Sequence, residues 1–241
     1  MRNVVVTGGS RGLGLGIVRT LAAQGDRVVA VARRPGEALE RAMAEPGAGE
    51  IRFVAADLGA IDALPDLARR LRRDLGPLHG LVNNAGLGTE GLLATMPNDQ
   101  IEALIRVNTL APIVLTKYVV RQMMADGGGR IVNLSSIIAS TGYNALSVYA
   151  ATKASLTGFT KSLAREVGRL GITVNAVAPG FIDTEMTGGL AEEERARIAG
   201  RSALKRLAEV QDVANAVAYL LGEGGRNVTG TVLTVDAGST A

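Results

Sequence analysis

Val4-Val5-Val6-Thr7-Gly8-Gly9-Ser10-Arg11-Gly12-Leu13-Gly14 joins an apolar β-branched run to a glycine cluster that opens an Ala/Leu-rich helical pattern. The stretch reads as strand, glycine turn, helix. The glycines let backbone N–H groups approach a pyrophosphate and let the helix pack close to the strand, with the helix N-terminus facing the phosphate charge. A P-loop is excluded, because no glycine here is followed by the Lys-Ser/Thr pair that such a loop requires. A dinucleotide is favoured over a mononucleotide, held by Gly8, Ser10, Arg11, Gly12, Leu13 and Gly14.

Outward from this turn, short Val/Ile-rich runs alternate with helical patterns: Val4 to Val6, Val28 to Val31, Ile51 to Ala55, Gly80 to Val82, Ile131 to Leu134, Thr173 to Val177 and Val232 to Val235. These are seven expected strands. The runs are continuous rather than alternating, which indicates strands covered on both faces and hence an α/β fold with a doubly wound parallel sheet. At 241 residues, 47% hydrophobic and 20% charged, one domain spanning 1–241 is enough for a substantial core. Gly127-Gly128-Gly129 and Gly224-Gly225 fall between elements as turns. One long irregular stretch, Gly180 to about Arg206, is a lid candidate.

Composition narrows the chemistry. The net charge of +3 comes from arginines scattered among acids, and only 3% of residues are aromatic, so no nucleic-acid partner is expected. With no cysteine there are no disulfides or thiolate metal sites, and the single His79 builds no histidine cluster, so no metal is expected. His79, just before Leu81-Val82, reads as a strand-entry residue. The chain runs from Met1-Arg2-Asn3 directly into a strand without a signal-peptide core, and no apolar run approaches membrane-spanning length. A cytoplasmic protein with no membrane partner is the expectation.

Tyr149-Ala150-Ala151-Thr152-Lys153 places a phenol and an ammonium one helical turn apart on the same face. Such a pair alone is also what a core aromatic beside a snorkelling amine looks like. As chemistry, a neighbouring Lys⁺ favours the phenolate, which predicts a proton transferable near neutral pH. Ser136 lies thirteen residues upstream and closes the run Ile131-Val132-Asn133-Leu134. Its hydroxyl would hydrogen-bond a carbonyl oxygen while the phenol protonates it.

Thr7-Gly8 with Gly12 and Gly14, Asn83-Asn84-Ala85-Gly86, Asn108, Ser136, Tyr149 with Lys153, and Pro179-Gly180, in this order and spacing, resemble the short-chain dehydrogenase/reductase family over almost the whole chain. Thr160-Lys161-Ser162-Leu163-Ala164-Arg165-Glu166 and Asn175-Ala176-Val177-Ala178-Pro179-Gly180-Phe181-Ile182 make it most similar to bacterial 3-oxoacyl-acyl-carrier-protein reductases. The resemblance implies a single Rossmann-type domain with strand order 3-2-1-4-5-6-7. It implies catalysis by Ser136, Tyr149 and Lys153, the lysine also holding the nicotinamide ribose. Asn108 would bend its helix and hold a water near the lysine. Asp57 and Leu58 would lie at the adenine, although Asp57 equally suits a helix cap. Asn83-Asn84-Ala85-Gly86 would let the backbone of Asn84, Ala85 and Gly86 pass close to the cofactor or, equally, tie neighbouring strands together through its amides, and Pro179 and Gly180 would wall the nicotinamide. Ile182 would offer its backbone to the carboxamide and Thr184 its hydroxyl to a phosphate. The helical patterns Asp99 to Ala125 and Ser147 to Leu170 would pack against symmetry mates in a homotetramer, with Ala150, Ala151, Ala154 and Gly158 allowing close approach or serving packing against the sheet.

At the end of the second strand, where NAD-binding units usually place an acid, this chain has Ala32 followed by Arg33 and Arg34, with Arg11 in the glycine turn. Guanidinium groups suit a 2′-phosphate, so NADP(H) is the expected cofactor, the alternative being a solvated arginine turn. Acyl-carrier-protein reductases carry two arginines that grip the acidic carrier. Those positions are Gly127 and Leu170 here, with Arg130 and Arg169 nearby. The departure leaves carrier-linked, coenzyme A-linked, polyketide and small free ketone substrates open. A non-catalytic NADP(H) sensor is the other class of reading, but regulators on this fold usually lose the Tyr or Lys that this chain keeps.

Overall fold

The computed structural model describes residues 1–182 and 192–241. Its strands are β1 (Asn3–Thr7), β2 (Arg27–Ala32), β3 (Glu50–Ala55), β4 (Gly80–Asn83), β5 (Gly129–Leu134), β6 (Ile172–Pro179) and β7 (Val232–Val235). Its helices are α1 (Gly12–Ala23), α2 (Glu37–Ala44), α3 (Leu64–Leu75), α4 (Asn98–Ile105), α5 (Ala111–Asp126), α6 (Ile138–Thr141), α7 (Ser147–Val167), α8 (Glu192–Arg201) and α9 (Val210–Leu221). The strands form one sheet in the order β3-β2-β1-β4-β5-β6-β7, and every neighbouring pair is parallel.

The apolar runs are continuous because successive side chains enter two different cores. Along β1 and β2, Val4, Val6, Val28 and Ala30 pack with Ile17, Leu21, Leu39 and Val217 of α1, α2 and α9. Val5, Val29 and Val31 pack on the other face with Leu67, Leu71, Leu115 and Leu163 of α3, α5 and α7. Strand side chains alternate in direction, so a strand covered on both faces has no solvent side on which polar residues are favoured.

A π-helical turn, Arg106–Leu110, joins α4 to α5 and makes one continuous helix of 29 residues, Asn98–Asp126. Contrary to the expectation that nothing approaches membrane-spanning length, this helix passes that test by length and by an 18-residue window of mean hydropathy 1.4. It lies against the sheet instead, with Leu104, Ala111, Leu115, Val119, Val120 and Met123 buried. The π turn has a local cause. Ala111 N–H reaches back five residues to the Arg106 carbonyl, and Pro112 has no N–H to continue the α pattern. At its far end α5 stops at Gly127, whose φ of 83° is left-handed and suits glycine.

Of the lid candidate at 180–206, residues 183–191, including Thr184, lie outside the described residues. Ile182 forms an isolated parallel bridge with Ala208, so the chain returns to the body of the domain where the stretch ends. His79 does stand at the entry to β4, where its Nδ1 accepts the Asn3 N–H at 3.0 Å.

Candidate active site

The chain order β1-β2-β3 runs to one side of β1 and β4 starts the other side, so the carboxyl ends of β1 and β4 border the crevice where open α/β sheets bind ligands. At this point β1 gives way to the glycine turn. Gly8 and Gly12 have φ of 66° and 52°. A Cβ on Gly14 would stand 2.1 Å from the Gly8 carbonyl oxygen and 2.6 Å from Asn84 Nδ2. The turn is thus closed too tightly for any side chain at Gly14. It is held from below by Thr7, whose Oγ1 accepts the N–H groups of Asn84 at 3.0 Å and Ala85 at 3.1 Å. Asn84 spends its side-chain amide on the carbonyls of Thr7, 2.9 Å, and Gly8, 3.3 Å. It therefore ties the β4 loop to the glycine turn. Arg33 and Arg34 are exposed just beyond β2, and Arg11 is exposed at the start of α1. Asp57 is exposed too, and its Oδ1 accepts the Gly59 N–H at 2.9 Å, an Asx turn leading out of β3.

Ser136 follows β5, and Tyr149 and Lys153 stand on the first turns of α7, so the sheet and one helix bring the three together. Lys153 is 5% exposed; its Nζ donates to the Leu134 carbonyl at 2.8 Å and lies 5.7 Å from the centre of the Tyr149 ring. In the opposite direction Ser135 Oγ donates to the Lys153 carbonyl at 3.0 Å, so β5 and α7 are clasped by reciprocal bonds. Asn108 sits in the π turn at 1% exposure and holds both backbone groups of Leu87: its Oδ1 accepts the N–H at 2.7 Å and its Nδ2 donates to the carbonyl at 2.9 Å. Gly86 borders this corner, where a Cβ would make ordinary contacts of 3.4 Å with Asn108 Oδ1 and 3.6 Å with Lys153 Nζ. Gly180, by contrast, is required: a Cβ would stand 2.7 Å from the Asp236 side chain.

Burial pushes the Lys153 ammonium down to about 8. Burial also raises the Tyr149 phenol above its usual value, while its hydrogen bond with Ser136 works against the rise. This corrects the expectation that Lys153 lowers the phenol. Burial is the larger influence on the phenol, and the ammonium is directed at the Leu134 carbonyl. The phenol therefore stays protonated at neutral pH.

The family model for the short chain dehydrogenase matches residues 2–195. The chain belongs to that family. It is 39% identical over 236 residues to the 3-oxoacyl-[acyl-carrier-protein] reductase of Escherichia coli (strain K12), covering 97% of this chain and 95% of the relative. It is 37% identical to nodulation protein G of Rhizobium sp. (strain N33), with 98% and 96% covered. Among solved structures, a short chain dehydrogenase from Burkholderia cenocepacia J2315 in complex with NADP superposes with a TM-score of 0.92 at 36% identity, covering 100% of this chain and 98% of that one.

Thr116, Asn133 and Thr160 help build this short-chain dehydrogenase site without any distinctive sequence pattern, whereas Asn83 belongs to the Asn83-Asn84-Ala85-Gly86 motif. Asn83 Nδ2 donates to Thr116 at 2.9 Å and to Asn133 at 2.8 Å, and Asn133 Nδ2 donates to Thr160 at 2.8 Å. This buried chain fastens α5 and α7 through β4 and β5. The register pair Asn83↔Asn133 underlies it, and it shows only once the strands are paired.

Proposed function

We propose that the chain is an NADPH-dependent ketoreductase that converts a 3-oxoacyl thioester, linked to acyl carrier protein or coenzyme A, into the 3-hydroxyacyl thioester. The observation that carries this reading is the convergence of Ser136, Tyr149 and Lys153 at the carboxyl end of β5, one strand away from the crevice bordered by the glycine turn. The name of the Escherichia coli relative supports the substrate class, and the NADP in the Burkholderia structure supports the cofactor. The residues here fit that cofactor. A Cβ on Gly12 would enter open space at the mouth of the turn while Gly8 and Gly14 keep the turn closed, Ala32 puts no carboxylate at the end of β2, and Arg33 and Arg34 supply cations for a 2′-phosphate. Asp57, Leu58, Ala85, Gly86, Pro179, Gly180 and Ile182 would line the rest of its path, with Lys153 at the ribose.

When bound, NADPH supplies a hydride to the carbonyl carbon. Ser136 and Tyr149 hydrogen-bond the carbonyl oxygen, and the protonated phenol passes its proton to that oxygen as charge develops there. The phenolate left behind is stabilised by the Ser136 hydroxyl and the Lys153 charge. Beside this site, Gly91 N–H donates to the Ala145 carbonyl at 2.9 Å, bringing the exposed Leu92 and Leu93 next to the turn that enters α7. Tyr143 meets Phe181 edge-on at 5.7 Å in the same region. An acyl chain suits this apolar rim.

Carrier recognition is a separate matter from the chemistry. Gly127 lies in a left-handed helix cap, and Arg130 Nη1 is bound to the carbonyls of Gly129 and Gly171 at 3.1 and 3.3 Å. Arg130 is therefore held locally, and with Gly127 and Leu170 where the carrier-gripping arginines would stand, weak steering of an acidic carrier is the expectation. The test is a rate comparison among 3-oxoacyl thioesters on carrier protein, on coenzyme A and on a short thiol mimic, with NADPH and with NADH. All three are expected to be reduced, NADPH is expected to be preferred, and any carrier advantage should be modest and nearly independent of salt. Turnover of simple ketones with none of the thioesters would overturn the substrate, and equal use of NADH would overturn the cofactor.

A further inference from the structure

Between Tyr149 and Lys153 stands a hydroxyl that the reaction above does not use. Thr152 is 2% exposed. Its Oγ1 lies 2.7 Å from the Tyr149 carbonyl oxygen and 3.2 Å from Asn108 Nδ2. The directions of these bonds follow from their neighbours. Leu87 N–H must meet an acceptor, so Asn108 turns its Oδ1 there and its nitrogen toward Leu87 O and Thr152. Both hydrogens of that amide are then spent, and the single hydroxyl hydrogen of Thr152 goes to Tyr149 O.

A threonine inside a helix commonly bonds back to the preceding turn, and that bond alone would be a local matter. Here the same oxygen closes a chain across three elements: the backbone of Leu87 after Gly86, Asn108 in the π turn, and the turn of α7 that carries Tyr149 and Lys153. The β5 side of that turn is already held by Ser135 Oγ on the Lys153 carbonyl and Lys153 Nζ on the Leu134 carbonyl. What Thr152 adds is the other side. Resting on the ketoreductase reading, we propose that Thr152 is a positioning residue whose hydroxyl sets the Tyr149–Lys153 turn against Asn108 and the loop after β4.

The experiment compares Thr152→Val, nearly the same shape without the hydroxyl, with Thr152→Ser, which keeps it. Steady-state reduction of a short-thiol 3-oxoacyl thioester and fluorescence titration with NADPH are measured on folded protein, with melting temperatures recorded. We expect Thr152→Val to lower kcat about tenfold while KM and the NADPH Kd stay within about twofold, and Thr152→Ser to recover kcat to within about twofold of wild type. Thr152→Ala takes the place of the valine variant if that one does not fold. A hydroxyl that served stability alone would lower the melting temperature and leave kcat unmoved. The proposal is therefore overturned if Thr152→Val keeps more than about half of kcat, or if Thr152→Ser loses as much as Thr152→Val. A wild-type chain that reduces no ketone overturns the ketoreductase reading and this proposal together, whereas an active wild type with an unchanged Thr152→Val overturns this proposal alone.

Discussion

Lys153 holds an ammonium in a nearly dry corner, with its Nζ hydrogen-bonded, among the described residues, to the Leu134 carbonyl. Its folded pKa of about 8 lies below the usual 10.5, so the folded chain binds its proton less readily than the unfolded chain does. The cost of burying the charge is fully present below pH 8 and fades as pH rises from about 8 toward 10.5. Lys153→Met should therefore abolish turnover yet make the fold more stable at pH 7, by roughly 2 to 3 kcal/mol after allowing for the orphaned Leu134 carbonyl. Urea unfolding across this pH range checks it: the advantage of the variant should shrink toward pH 10.5, and a variant less stable than wild type at every pH would refute the account. Tyr149, Lys153 and Ser136 were legible in the sequence because a four-residue helical step and a strand end are local patterns. The direction of Lys153 Nζ was not legible, since it depends on the Leu134 carbonyl of another element, and neither was the burial that raises the phenol. Thr152 was equally hidden, because a mid-helix threonine has meaning only once Asn108 is opposite it.

At the scale of elements, the glycine turn makes the sharpest demand on sequence. A methyl on Gly14 meets the Gly8 carbonyl oxygen at 2.1 Å, so either the turn or the start of α1 must move, although alanine is intrinsically the better helix former. Gly14→Ala is expected to weaken NADPH binding at least about tenfold, since a displacement of the N–H groups by a fraction of an ångström lengthens several phosphate hydrogen bonds together. Fluorescence titration measures this, and an unchanged Kd would show that the turn relaxes without loss. The strands were readable as continuous apolar runs because β1 and β2 feed two cores at once, and observed ends differ from the runs by one or two residues where polar Asn3 and Thr7 complete β1. The resemblance placed a bend at Asn108, but that it takes the form of a π turn was not readable. Its five residues keep nearly the same apolar spacing as an α-helix, and its cause is the missing N–H of Pro112 combined with the anchoring of Asn108 on Leu87.

For the whole molecule, the question is what covers the outer faces of the two longest helical stretches. The joined helix Asn98–Asp126 buries one side against the sheet but exposes Ile105, Leu110 and Met124. On α7, Ala151, Ala154 and Gly158 are exposed, so their small size does not serve packing against the sheet, and a Cβ on Gly158 would meet nothing within 4 Å. Small residues on an open helix face allow a second helix to approach closely, and an isologous contact through such a face generates a dimer, two of which pair into a D2 tetramer. We therefore expect a particle of four 24.9 kDa chains in solution. Ala154→Arg places a long cation on this face without touching the core of the subunit, and should reduce the particle to a smaller species while the melting transition remains cooperative. Light scattering at micromolar concentration decides between the outcomes. A wild-type monomer would remove the tetramer, and an Ala154→Arg particle of undiminished mass would place the contact on some other face than α7.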